Sequence, residues 1–147
     1  MADSDRKSLG RIGEEAAAVY LEKKGYTVTA KNVRIGRSEI DIICEKDDFI
    51  VFAEVKTRHL IPENLSVYGS AASAVDEAKQ NALIRGSEGY TSTHPTDKIP
   101  RIDVIEVYVS PTEPFAVTEI VHMENAVQKS GKFSKKSKTR RFHNEAD

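Results

Sequence analysis

Five charged side chains interrupt two runs of otherwise apolar residues. In SEIDIICEKDDFIVFAEVKTR, residues 38–58, Glu39, Asp41, Glu54, Lys56 and Arg58 stand among Ile40, Ile42, Ile43, Ile50, Val51, Phe52, Ala53 and Val55. A carboxylate taken out of water is costly unless something positive compensates it. Two resolutions are open. Salt bridges form a lattice that absorbs the acids, or a divalent cation bridges them and turns their repulsion into binding energy.

Position decides what these residues can do. Side chains alternate between the two faces of a strand. That puts Glu39, Asp41 and Ile43 on one face of the first run, with Ile40, Ile42 and Cys44 on the other. Ile50, Phe52, Glu54, Lys56 and Arg58 share one face of the second run. The polar link EKDD, Glu45–Asp48, joins the two runs as a hairpin. A turn centred on Lys46 and Asp47 sets Glu39 opposite Glu54. A shift of two residues sets Asp41 opposite Glu54 instead. In both registers the charges gather at the end far from the turn. Strands apolar on both faces are central to a sheet, so this charge cluster is expected at a cleft.

The surrounding elements follow from periodicity. Leu9, Ile12, Ala16, Val19 and Tyr20 recur at helical spacing in residues 8–24, which predicts a helix with those residues facing inward. Gly25 supplies its stop. Gly10 and Gly13 weaken that helix by about 1 kcal/mol each, or they let a backbone or ligand approach closely. Residues 26–33 alternate as a first strand, and 59–69 read as a loop. A second helix is expected from about Ser73 to Arg85 or beyond, lined by Ala74, Val75, Ala78 and Ala82, with Gly86 as a candidate end. Arg101–Val109 and Phe115–Met123 read as two more strands. The order α-β-β-β-α-β-β predicts an α/β sandwich around one central sheet.

The totals set limits. A chain of 147 residues with 39% hydrophobic content supports one domain with one modest core. The single cysteine, Cys44, excludes an internal disulfide framework and a cysteine-rich zinc site. No apolar run approaches about 20 residues, and MADSDRKS has no apolar signal core, so a soluble cytoplasmic protein without membrane association is expected. Residues 129–141 hold seven basic side chains and no acid. Subtracting those seven charges from the net −1 leaves −8 on the rest of the chain. The expected organisation is a folded domain over 1–127 and a disordered basic tail over 128–147. The tail is either a solubilising end or a phosphate-binding arm.

Asp41, a thirteen-residue step, then Glu54-Val55-Lys56 resembles the PD-(D/E)XK nuclease signature. The segments GRIGEEAAAVYLEKKGY, KNVRIGRSEIDII, VFAEVKTR, SAVDEAKQ and RIDVI together resemble the YraN-like family of predicted endonuclease-related proteins. The likeness runs from about Leu9 to Val127. It implies a restriction-endonuclease-like sandwich, with a mixed sheet flanked by helices. It also implies Mg²⁺ or Mn²⁺ held by Asp41, Glu54 and the Val55 carbonyl, with Lys56 beside the attacking water. The expected activity is hydrolysis of phosphodiester bonds in DNA, either branched or single-stranded. The alternative is a nucleic-acid-binding module of the same fold that does not cut.

The chain also resembles archaeal Holliday-junction resolvases, in which a glutamate on the first helix joins the metal site. Glu14, between Gly10 and Gly25, matches that place, although Glu14 and Glu15 would also suit a helix N-terminal dipole. A symmetric homodimer is a further expectation from those relatives. Glu39 is open between metal ligand and outer acid. Lys79 and Gln80 match the family's K-Q pair, Gln80 as a catalytic residue and Lys79 as a nucleic-acid contact, or else form a solvent-facing pair. Arg34, Arg37, Arg58 and Arg101 are candidates for gripping phosphates. His59, His94, His122 and His143 have no metal-ligand spacing. Ser38 stands where the family's G-E-I-D has glycine, and Ala53 where V-E-V-K has valine; neither is a proposed ligand.

Overall fold

The computed structural model describes residues 3–60, 75–129 and 138–143. Helix α1 (Asp3–Lys23) precedes strands β1 (Thr27–Ile35), β2 (Ser38–Lys46) and β3 (Phe49–His59). Helix α2 (Glu77–Thr93) follows, then β4 (Ile99–Val109), β5 (Val117–Val127) and β6 (Lys138–His143). The strands form one mixed sheet in the order β1-β2-β3-β4-β5-β6. Only β3 and β4 run parallel. A parallel pair needs a long crossover, and α2 lies within it. The α/β sandwich expected from the sequence is observed. The loop expected over 59–69 lies, from residue 61 onward, outside the described residues.

β6 falls inside the basic segment, where the sequence predicts no element. Its backbone pairs antiparallel with β5, from Glu124↔Lys138 to Glu119↔His143. The outer edge of β5 offers N–H and C=O groups, and an extended segment can satisfy them through its backbone.

One layer of core lies between α1 and the sheet. Leu9, Ala17, Ala18 and Leu21 pack there on Ile42, Cys44, Val51, Ala53, Ile105 and Val107. The inner face is rotated from the one expected, since Val19 is half exposed. At Gly13 the helix comes so close to β3 that an added Cβ would collide with the Thr57 side chain, whereas nothing approaches Gly10. Close approach to the sheet, not helix propensity, therefore explains Gly13. Gly25 adopts φ +95° just beyond the helix, as a left-handed stop requires.

The other layer lies under α2. Leu83 packs there with Ile40, Ile43, Phe52, Val104, Tyr108 and Met123. The helix starts later than expected and runs beyond Arg85, past the glycine that was a candidate end. It starts at Glu77, capped by Asp76, and runs through Gly86 and Gly89 to Thr93. Its inward residues are Gln80, Leu83, Gly86 and Ser87, while Ala78 is exposed. A Cβ at Gly86 would lie 3.1 Å from Ile40 Cδ1, and one at Gly89 2.6 Å from Ile35 Cγ2. These glycines are where the helix meets β1 and β2, so tertiary contact outweighs their poor propensity.

A polar network pins α1 to the sheet. The fully buried Asp103 carboxylate accepts from Arg101 at 2.9 and 2.8 Å, from the Asn125 N–H at 2.9 Å and from His122 Nε2 at 2.7 Å. His122 Nδ1 meets the Tyr20 hydroxyl at 2.7 Å, and Arg101 donates to the Tyr26 hydroxyl at 2.6 Å. Burial raises the Asp103 pKa, but the hydrogen bonds and charges of His122 and Arg101 outweigh it and hold the carboxyl below its ordinary value. Arg101, a candidate phosphate contact by sequence, is committed to this interior network.

Two stability measurements check these packing arguments. In urea titrations, Gly13→Ala is expected to cost about 1–3 kcal/mol and Gly10→Ala to be neutral or stabilising by up to about 1 kcal/mol; equal effects would remove the close-approach explanation. Asp103→Ala should cost about 3–5 kcal/mol at neutral pH, because it leaves Arg101 buried without its carboxylate. The stability that Asp103 contributes is complete above about pH 4 and is lost as pH falls through its depressed value. The difference between wild type and Asp103→Ala should therefore shrink in acid.

Candidate active site

The site forms where the sheet loses its regularity. Ile40 packs in the α2-side layer, while Ile42 and Cys44 pack in the α1-side layer. Strict alternation would have placed all three together, as the sequence reading did; β2 instead changes face at Asp41. β1 behaves in the same way. Val28 packs toward α1, and Ala30, Val33 and Ile35 pack toward α2. Asn32, at φ 51°, lies in the left-handed region. The pairs Lys31↔Ile42 and Val33↔Ile40 place Asn32 opposite Asp41.

On the other side of β2, the ladder with β3 runs from Lys46↔Phe49 to Ile42↔Ala53. Continued by one step, that register sets Asp41 opposite Glu54, the second of the two registers open in the sequence. The turn is the two residues Asp47-Asp48, with Asp47 at φ 53°. The Val55 N–H donates to Asp41 Oδ2 at 2.8 Å. A side chain thus takes the place of the next strand-to-strand bond, and the two strands splay around it.

Three acids converge at this splay. Glu54 is 3% exposed. Burial, the charge of Asp41 and a hydrogen bond to Asp41 push its pKa up to about 7, against the opposing pull of Lys79 and Lys56. Glu14 approaches from α1. Burial and the Asp41 charge raise its pKa, and a hydrogen bond from Asn32 opposes the rise. Two ammonium groups answer these acids. Lys79 Nζ lies 3.3 Å and Lys56 Nζ 3.9 Å from the same oxygen, Glu54 Oε2. Lys79 is held at the start of α2, where its N–H donates to the Asp76 cap at 2.8 Å. Gln80 beside it is buried, with Nε2 donating to the Val75 carbonyl at 3.3 Å.

The remaining candidates separate. Glu39 is exposed at the rim and faces Arg34 at 3.8 Å, so neither enters the centre. Arg58 is turned toward the fully buried Glu106, at 3.6 Å. Arg37 is exposed on the β1–β2 turn. His59 faces the Ser110 carbonyl at 3.0 Å. Cys44 is buried in the α1-side layer, where burial pushes its thiol up to about 12 and leaves it unreactive. Asn32 is the site residue that the sequence reading missed. Its signal was an asparagine within a β-branched run, the residue type that most readily takes a left-handed backbone there.

Among the described residues, no group of three or more His, Cys, Asp and Glu side chains is placed to hold a metal. The oxygen set implied by the nuclease resemblance is smaller: Asp41, Glu54 and the Val55 carbonyl. Glu54 Oε1 and Gln80 Oε1 are both buried acceptors without a hydrogen-bond partner. Hard oxygens, few of them from protein, suit Mg²⁺ or Mn²⁺, so the residues present fit such an ion.

These features define a mixed-sheet α/β sandwich with a buried acid–lysine centre at a splayed hairpin. The chain belongs to the family described as "Uncharacterised protein family UPF0102", whose model matches residues 13–107. A UPF0102 protein of Caldanaerobacter subterraneus subsp. tengcongensis is 37% identical over 86% of this chain and 99% of its own length. One from Chloroherpeton thalassium is 36% identical over 76% of this chain and 84% of its own. One from Flavobacterium psychrophilum is 33% identical over 84% and 96%. The matched span contains Asp41, Glu54, Lys56, Lys79 and Gln80, with Glu14 near its start.

The raised carboxyl at Glu54 has a thermodynamic signature. Its folded pKa, about 7, exceeds the ordinary 4.5, so the folded state holds the proton longer and loses stability as pH rises from about 4.5 to about 7. In metal-free buffer, Glu54→Gln is expected to stabilise the protein at pH 8 by about 1–3 kcal/mol and to flatten that part of the pH–stability curve. A variant less stable than wild type across the range would contradict this electrostatic account.

Proposed function

We propose that this protein is a Mg²⁺- or Mn²⁺-dependent nuclease that hydrolyses phosphodiester bonds in branched or single-stranded DNA. One observation carries the reading. Asp41 and Glu54 stand opposite each other where the β2–β3 ladder ends, with two lysines within 4 Å of Glu54 Oε2. The sequence resemblance to PD-(D/E)XK nucleases assigns acid, acid and lysine to these same positions.

Asp41, Glu54 and the Val55 carbonyl would hold the ion. When bound, such an ion lowers the pKa of a coordinated water and offsets charge on the phosphate. The chain's own groups supply the rest. Asp41 accepts the Val55 N–H and so keeps the neighbouring carbonyl fixed in the splay. Lys56 donates to the phosphoryl oxygens as negative charge grows on them. The Gln80 amide is anchored at Nε2 by the Val75 carbonyl, which leaves Oε1 to accept from the attacking water and orient it. Glu14, which faces Asp41 from α1 and accepts a hydrogen bond from Asn32, would add a further oxygen.

The body of the chain is acidic and repels phosphates. The basic residues from Lys129 to Arg141 offset that repulsion. On this reading, single-stranded, flapped and four-way-branched DNA are incubated with the protein and Mg²⁺. Products should appear with at least one of them, vanish with EDTA, and fall about 100-fold or more in rate with Lys56→Ala. Mn²⁺ should raise the melting temperature of wild type but not of Glu54→Ala. Binding without metal-dependent products in the wild type would favour the non-cutting module.

A further inference from the structure

Two ammonium groups share one oxygen of Glu54, yet they are not equivalent. Lys56 follows Glu54 by two residues on β3, and its backbone is locked in the ladder with Glu106 of β4. Lys79 comes from α2. Its backbone is fixed by the Asp76 cap on a different element, and its side chain, about as exposed as that of Lys56, reaches Glu54 along a flexible four-carbon stem. It is nevertheless the nearer of the two, at 3.3 Å against 3.9 Å. The other oxygen, Glu54 Oε1, is buried without a hydrogen-bond partner. In its charged form, a carboxylate with so little water around it needs a positive neighbour, and Lys79 supplies the closest one.

A divalent ion on Glu54 would meet that ammonium as a like charge at short range. The ammonium can leave without unfolding anything, because only the stem beyond Cβ must move. A phosphate at the site gives it a new anionic partner.

We propose that Lys79 is a displaceable internal cation. It compensates Glu54 in the metal-free protein and moves to a phosphate of the nucleic acid when a divalent ion loads, so that ion and nucleic acid bind together. This rests on the nuclease reading above and adds to it an order of loading. Linkage requires that each ligand then tighten the other by the same factor. The acids are thereby kept from capturing metal ions in the absence of substrate.

The test measures Mn²⁺ binding to the full chain by titration calorimetry. It is run alone and with a saturating short single-stranded phosphorothioate oligonucleotide, which resists cleavage. In wild type, the oligonucleotide should tighten Mn²⁺ binding about 10-fold or more. In Lys79→Met, Mn²⁺ alone should bind about 10-fold more tightly than in wild type, and the oligonucleotide should then add less than about 2-fold. Removing a charge without any transfer of the ammonium would also tighten Mn²⁺ but would leave the coupling intact, so retained coupling overturns the proposal. So does a wild-type Mn²⁺ affinity in Lys79→Met, or no effect of the oligonucleotide on wild type. Mn²⁺ binding to neither protein would instead remove the nuclease reading itself. The cap that starts α2 uses the backbone of Lys79, so the variant keeps its fold, which a metal-free melting curve verifies.

Discussion

The hydrogen bond from the Val55 N–H to the Asp41 carboxylate organises this molecule's centre. A regular antiparallel pair would carry backbone bonds past Ala53 and close the gap between the strands. The carboxylate accepts one of those N–H groups instead, so the ladder ends and the strands part. Glu54 then sits in the opening, next to a second acid, under too little water to ionise at its ordinary pKa. Everything that surrounds it compensates for that position.

The compensation comes from both sides of the sheet. α1 delivers Glu14 from one layer and α2 delivers Lys79 and Gln80 from the other. Each helix is pressed onto the strands by missing side chains: Gly13 against Thr57, Gly86 against Ile40, and Gly89 against Ile35. The Asp103–His122–Tyr20 chain of contacts fastens α1 six residues beyond Glu14. These devices cost helix propensity and bury polar groups, and they return a fixed distance between helix and site. Positioning a carboxylate or an ammonium to within a few tenths of an ångström requires supports of this kind.

Two of the buried carboxylates, Asp103 and Glu54, have opposite settings. Asp103 has four donors and is held in its charged form. Glu54 has two lysines on one oxygen, an acid opposite, and is pushed toward its neutral form. The first is a finished structural network. The second is unfinished, with buried acceptors still unanswered at Glu54 Oε1 and Gln80 Oε1. Unanswered acceptors are costly in a fold that gains nothing from them, and this contrast points to the second centre as the place for a ligand.

Much of this was legible in the sequence. Apolar periodicity located both helices and the strands from β1 to β5. Acids embedded in β-branched runs marked the splay, and the pattern around them pointed to the family. Local composition suffices for these because each strand or helix face must bury apolar surface whatever its neighbours are. The sequence could not choose between two hairpin registers, since both kept the charges at the same end. It misplaced Ile40, because a period of two cannot foresee a face change. It also left the end of α2 open, offered Arg101 as a phosphate contact and left β6 unforeseen. Those outcomes belong to the tertiary structure alone. Whether a glycine ends a helix or seats it, and whether a buried acid is satisfied or exposed to a ligand, depends on groups far away in the chain whose distance only the folded packing sets.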